Sequence, residues 1–213
     1  MIENRGLTDT HLDVLKEIGN IGLGNAATAL ATMVNKKIDM AVPQSRFLSL
    51  EEVMELVGGL EEVVCCVNLR LDGDVPGQIL FLFNLESTYN LVDMLMGMEK
   101  GTTNIMDEMG ESVVKEVGNV LTGSFVSAIG TMTGLNMIPT VPMFAIDMLG
   151  AVLSASLVAG GYVEEHILMI ETLLFEDNEQ IKGHFFLITE QHALNTLFNS
   201  LGLSINHRGI RNG

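Results

Sequence analysis

KEIGNIGLGNAATALATMVNKKIDMAVP, residues 16–43, returns as KEVGNVLTGSFVSAIGTMTGLNMIPTVP, residues 115–142. Laid on each other without gaps, the two stretches share ten identities in 28 positions. Further pairs are conservative, such as Ile18 with Val117 and Leu30 with Ile129. Self-similarity of this length predicts two copies of one supersecondary unit. A second echo follows. GQILFLFNLESTYNLVDMLMG from Gly77 and GHFFLITEQHALNTLFNSLG from Gly183 both read as a strand running into an amphipathic helix.

Working outward, the first half is expected to hold helices at about 9–34, 49–57 and 86–97 and strands at about 37–47, 61–71 and 76–84. The second half is expected to hold a long helix at about 105–133, strands at about 136–147, 151–159, 163–175 and 180–188, and a helix at about 190–201. The strands are rich in Val, Ile, Leu and Phe and follow one another through short turns such as DGD at 72–74. That pattern predicts an α+β fold with a pseudo-two-fold internal repeat, a largely antiparallel sheet carrying long packed helices. No Pro/Ser-rich linker lies near residue 100. Residues 1–205 therefore read as one domain of two repeats, about 1–99 and 100–205, sharing one sheet. The polar tail NHRGIRNG, 206–213, is expected to be disordered.

Composition narrows the function classes. The 213 residues are 47% apolar and 18% charged, enough apolar material for a sizeable core. A formal net charge of −16 argues against a nucleic acid or an anionic membrane as partner. The N-terminus MIENRGLTDTHLD is polar and lacks the form of a signal peptide. Two charge-poor windows, 18–35 and 117–146, are broken by Asn, Gly, Ser, Thr or Pro and read as buried helix and strand, not as membrane spans. A cytoplasmic location is expected. The two cysteines, Cys65 and Cys66, are adjacent on a strand, point to opposite faces and are expected to be reduced thiols. None of the five His residues has metal-ligand spacing, so no metal site is expected.

The repeat preserves one helical face. Asp13, Glu17 and Asn20 stand at i, i+4 and i+7, within about 60° of one another at roughly 100° per residue. Ser112, Glu116 and Asn119 hold the same positions in the second copy, and Gly24 and Gly123 extend the stripe by a turn. Pro43 and Pro142 each follow their Asn by 23 residues. The opposite face, Leu15, Ile18, Gly22, Ala26, Ala29 and Met33, matched by Val114, Val117, Leu121, Phe125, Ala128 and Met132, reads as the core side. A mid-helix Asn or Gly costs about 0.5–1 kcal/mol of propensity against Ala. Keeping both on the same outward face in two copies has either a packing reason or a functional one.

Chemically, the stripe holds no Ser or Cys beside a His and no facing carboxylate pair. An amide can hold a water in line with a phosphoryl group. A nearby carboxylate can pair with a partner's Lys, and a Gly leaves room for a partner's backbone. A rival reading starts from Gly22-Leu23-Gly24 with Ala27, close to a dinucleotide-binding loop. Such a loop needs a strand before its first glycine, whereas helix is expected from Leu12 onward, and the second copy has Leu121 in place of Gly22.

The twofold pattern Asp/Ser-x3-Glu-x2-Asn-x22-Pro resembles the CheC phosphatases of bacterial chemotaxis, within the wider CheC/CheX/FliY group. Both copies keep the full spacing: Asp13, Glu17, Asn20, Pro43 and Ser112, Glu116, Asn119, Pro142. The resemblance implies a hydrolase acting on the aspartyl phosphate of the response regulator CheY, with two pseudo-symmetric sites. It implies that Asn20 and Asn119 orient the attacking water and that Glu17 and Glu116 pair with the regulator's Lys. Asp13 and Ser112 would support docking or the helix, and Pro43 and Pro142 would shape the next strand. The Mg²⁺ would be bound by CheY, leaving this chain with no cofactor of its own. A second implied partner is the receptor deamidase CheD, and an adaptor that mainly regulates CheD is the alternative function.

Overall fold

The computed structural model describes residues 7–160, 166–176 and 179–205. The tail at 206–213, expected to be disordered, and the first three residues of the strand expected at 163–175 lie outside them. The chain runs α1 (Asp9–Val34), β1 (Asp39–Ala41), β2 (Ser45–Ser49), α2 (Leu50–Val57), β3 (Val63–Gly73), β4 (Gly77–Asn84) and α3 (Leu85–Met96). The same αββαββα order then returns as α4 (Glu108–Thr133), β5 (Met137–Pro139), β6 (Met143–Met148), α5 (Leu149–Gly160), β7 (His166–Glu176), β8 (Glu179–Thr189) and α6 (Gln191–Ser200). Helices α1 and α4 are 26 residues each.

The sheet has the order β1-β7-β8-β4-β3-β5, with β2 continuing beside β7 and β6 beside β3, and every pairing is antiparallel. The halves exchange strands. First-half β1 and β2 pair with β7 of the second half, and second-half β5 and β6 pair with β3 of the first. At the centre β4 meets β8, with Gly77 opposite Thr189 and Leu82 opposite His184.

Alternation along the strands divides the core into two. On one face, Cys65, Val67, Ile79, Phe81, Ile170 and Phe185 pack with the inner sides of α1, α4, α3 and α6. Rings join the layers there: Phe185 lies 5.0 Å from Phe81 and 4.6 Å from Phe125 between centroids. On the other face, Cys66, Leu80, Leu82, Met169 and Phe186 pack with Val53 of α2 and with Val152 and Leu153 of α5. The adjacent cysteines therefore do point to opposite faces as free thiols, and burial pushes Cys65 up to about 12 and Cys66 higher still.

Three expectations are corrected. The window 151–159 is helix, not strand. Its short apolar run can be read as a buried strand, but Leu149, Val152, Leu153 and Ser156 are buried at i, i+3, i+4 and i+7. The strand expected at 37–47 is split into β1 and β2, and that at 136–147 into β5 and β6. The breaks fall at Pro43 and Pro142, which have no N–H to give to a ladder. Finally, the apolar back face of the long helices stops short of Met33 and Met132, which are 57% and 44% exposed, while Leu30 and Ile129 are fully buried.

Candidate functional site

Packing of α1 and α4 on the sheet and on each other leaves their repeated stripes outside. The start of α1 is pinned by His11, which is buried, takes a hydrogen bond at Nδ1 from the Thr8 N–H at 3.1 Å, and meets Phe198 of α6 edge-on at 4.7 Å. The start of α4 is set by Asp107, whose carboxylate accepts from the Gly110 N–H at 2.8 Å. That cap explains why the helix begins at Glu108 and not near residue 105. The connection leading to it is held by Asp93, which accepts from the N–H groups of Gly101, Thr102 and Thr103 at 2.8–3.0 Å. Burial pushes the Asp93 carboxyl up, but the bonds from Thr103, Gly101 and Thr102 outweigh it and hold the group below its ordinary value.

On α1 the side chains of Asp13 and Glu17 are exposed, Asn20 is half-buried and Gly24 is exposed. On α4 all four counterparts, Ser112, Glu116, Asn119 and Gly123, are exposed. Each helix thus presents a polar stripe of the expected composition. A Cβ placed on Gly24 or Gly123 would have no neighbour within 4 Å, so both glycines face open space. Directly behind the stripe stand two glycines that sequence reading passed over. Gly19 faces Val42, 3.1 Å from where its Cβ would be, and Gly118 faces Val67 at 2.5 Å. A Cβ would be tight at Gly19 and would force a shift at Gly118, so each Gly-Asn pair seats the helix closely on its neighbour.

The polar groups of the stripes carry few bonds within the chain. Among the described residues, Glu17 and Glu116 make no hydrogen bond or ion pair, although Lys115 beside Glu116 is paired to Glu111 at 2.5 Å. The Ser112 hydroxyl donates to the Glu108 carbonyl at 2.8 Å, which commits it to its own helix and away from nucleophilic work. Asn20 differs from Asn119: its Oδ1 accepts from the Val42 N–H at 3.1 Å. Pro43 and Pro142 sit in the loops that follow, between β1 and β2 and between β5 and β6. Val-Pro recurs at 42–43 and 141–142, but among the described residues only the first copy's valine N–H donates to its Asn.

The helix geometry removes the dinucleotide reading. Gly22, Leu23 and Gly24 lie in mid-α1, so their N–H groups belong to the helix ladder and cannot cradle a phosphate. An open groove of about 730 Å³ does run beyond Gly24 along Thr28, Thr32 and Asn35 to Ile38 and Met40. Among the described residues no group of three or more His, Cys, Asp or Glu is placed to hold a metal ion, and no helix is long and apolar enough to cross a membrane. What remains is a surface that offers, twice, an acceptor carboxylate, an amide and a gap one turn further, with the Asn20 oxygen already accepting from Val42.

Comparison with known proteins points to the same segments. The model of the CheC-like family matches residues 11–45 and 109–146, which span both stripes and both Val-Pro loops. The CheY-P phosphatase CheC of Bacillus subtilis is 34% identical over 204 residues, 94% of this chain and 98% of that protein. The flagellar motor switch phosphatase FliY of Bacillus subtilis is 25% identical over 127 residues, 59% of this chain and 33% of that protein. Among solved structures, Thermotoga maritima FliY superposes with a TM-score of 0.76 at 19% identity, covering 95% of this chain and 98% of that one.

Proposed function

Because the chain belongs to the CheC-like family, we propose that it is a phosphatase acting on the phosphorylated response regulator CheY, with one site on α1 and a second on α4. The observation that carries the reading is the paired exposed stripe: Glu17 with Asn20, and Glu116 with Asn119, each without an ion pair at its carboxylate among the described residues. Residues to 205 act as one domain of two repeats, a reading supported by the sheet to which both halves contribute.

The bond to be broken joins a regulator aspartate to phosphorus. Water attacks phosphorus, the P–O bond to the carboxylate breaks, and inorganic phosphate and the free aspartate result. An inserted Asn supports this by accepting a hydrogen bond from the water at Oδ1, which turns an oxygen lone pair toward phosphorus, while its Nδ2 donates to a phosphoryl oxygen. Glu17 or Glu116 meets the regulator's Lys and fixes the docking angle. Gly24 and Gly123 leave room for the visiting backbone, and Asp13 and Ser112 extend the docking surface. The Mg²⁺ that screens the phosphoryl charge belongs to CheY.

The test is phosphate loss from phosphorylated CheY with Asn20→Ala and Asn119→Ala combined. Stimulated loss is expected to vanish while the circular dichroism and melting temperature stay those of a folded protein. Full activity in the double variant overturns the reading. CheD enters the proposal as a binding partner only. A pull-down beside the phosphatase assay separates the enzyme from an adaptor, which would bind without turnover.

A further inference from the structure

We infer that the two sites are unequal: the α4 site carries most of the turnover, and the α1 site is held back by a latch from its own backbone. The inference rests on the phosphatase reading above. The Val42 N–H donates to Asn20 Oδ1 at 3.1 Å. Since a backbone N–H can only donate, this bond fixes the orientation of the amide. The Asn20 oxygen faces its own loop, and Nδ2 is the end left for a visitor. Asn20 can bind a phosphoryl oxygen as it stands, but to hold the attacking water it must share or surrender its acceptor. Asn119 makes no side-chain hydrogen bond among the described residues and is exposed, so both ends of its amide are available.

The latch is built into the first half and missing from the second. Val42 is 3% exposed, against 83% for Val141 at the matching position. Val42 packs on Gly19, and two residues on, Gln44 is strapped to β7. Its Nε2 donates to Glu171 Oε2 at 2.6 Å, and its carbonyl accepts from the Glu171 N–H at 3.0 Å. Lys182 holds Glu171 in turn. In the second half Met143 takes the place of Gln44 and has no polar side chain to form the strap, its backbone pairing with Asn68 of β3 instead. Gly118 faces Val67 of β3 instead of a loop valine. The loop hangs on the sheet: the Thr140 N–H donates to the Arg70 carbonyl at 2.8 Å, and Thr140 Oγ1 accepts from the Arg70 N–H at 3.0 Å. The Val141 N–H is thereby kept from Asn119.

One neutral hydrogen bond shifts an equilibrium several-fold and not by orders of magnitude. The expected asymmetry is of that size. In a phosphate-release assay with phosphorylated CheY, Asn119→Ala is expected to slow the stimulated rate about five-fold or more, and Asn20→Ala less than about two-fold. A loss from Asn20→Ala equal to or larger than that from Asn119→Ala overturns the inequality. A double variant that keeps full rate overturns the phosphatase reading itself, so the two failures are told apart. The role of Val42 as a positioning residue has its own readout. In the Asn119→Ala background, replacing the Val42 peptide N–H by an ester oxygen, with the side chain kept, is expected to raise the residual rate several-fold. Breaking a bond that only supports the fold would lower it, so an unchanged or lower rate overturns the latch.

Discussion

Helix α1 comes so close to α4 at Gly22 that an added Cβ would lie 2.9 Å from the Phe125 Cα. The matching residue of the second copy is Leu121, so the gap in one helix receives the backbone of the other. Gly22→Val is expected to push the helices apart and destabilise the protein by about 1–3 kcal/mol, the cost of overpacking a filled core. Urea unfolding followed by far-UV circular dichroism checks this. A midpoint unchanged from wild type would show that the crossing can slide without cost.

Gly24 and Gly123 predict the reverse. Both are helical, exposed and without neighbours, so replacing either by Ala is expected to stabilise the fold by about 0.5–1 kcal/mol through helix propensity alone. If the stripes are where the phosphorylated regulator docks, the added methyl obstructs its approach and dephosphorylation slows. Thermal melting and phosphate release, measured on the same samples, are expected to move in opposite senses. A faster or equal rate removes these glycines from the docking surface.

His184 gives the fold an acid-sensitive element. Burial, assisted by Lys182, depresses it from 6.5 to about 4, with Glu171 opposing in part. The unfolded chain therefore takes up a proton at higher pH than the folded one. Stability is full above about pH 6.5 and is lost as pH falls toward about 4. At 1.36 kcal/mol per unit, the loss amounts to roughly 3 kcal/mol. His184→Gln is expected to flatten the acid limb of a stability–pH curve across this window. A curve with the wild-type slope between these pH values would place the acid sensitivity elsewhere.

Much of the layout could be read from the chain because the repeat carries its own control. The boundaries of α1 and the outward position of the Glu17 and Glu116 stripes followed from spacing alone. Helix α5 did not. Its short apolar run is not told from a buried strand by pattern alone, and packing on β3 and β4 goes with the helix. Yet Leu149 stands 99 residues after Leu50, where α2 begins, so the repeat held the correction. Pairing β1 and β2 with β7 was out of reach, because no local pattern reports which strand a neighbour lies against. The difference between Asn20 and Asn119 was also hidden: the residues are identical, and what separates them is a backbone donor placed by Gly19 and by the strap from Gln44 to Glu171.

The exchange of strands between the halves sets a timetable for the ribosome. The hairpin of β3 and β4 can close as soon as it emerges, since Leu71 meets Gly77 across a short turn. Strands β1 and β2 have no partner until β7 is made, more than 100 residues later. At a synthesis rate of about 5–20 residues per second, that wait is on the order of ten seconds. For that interval the strap from Gln44 to Glu171 cannot form, so the loop that brings the Val42 N–H to Asn20 waits for β7.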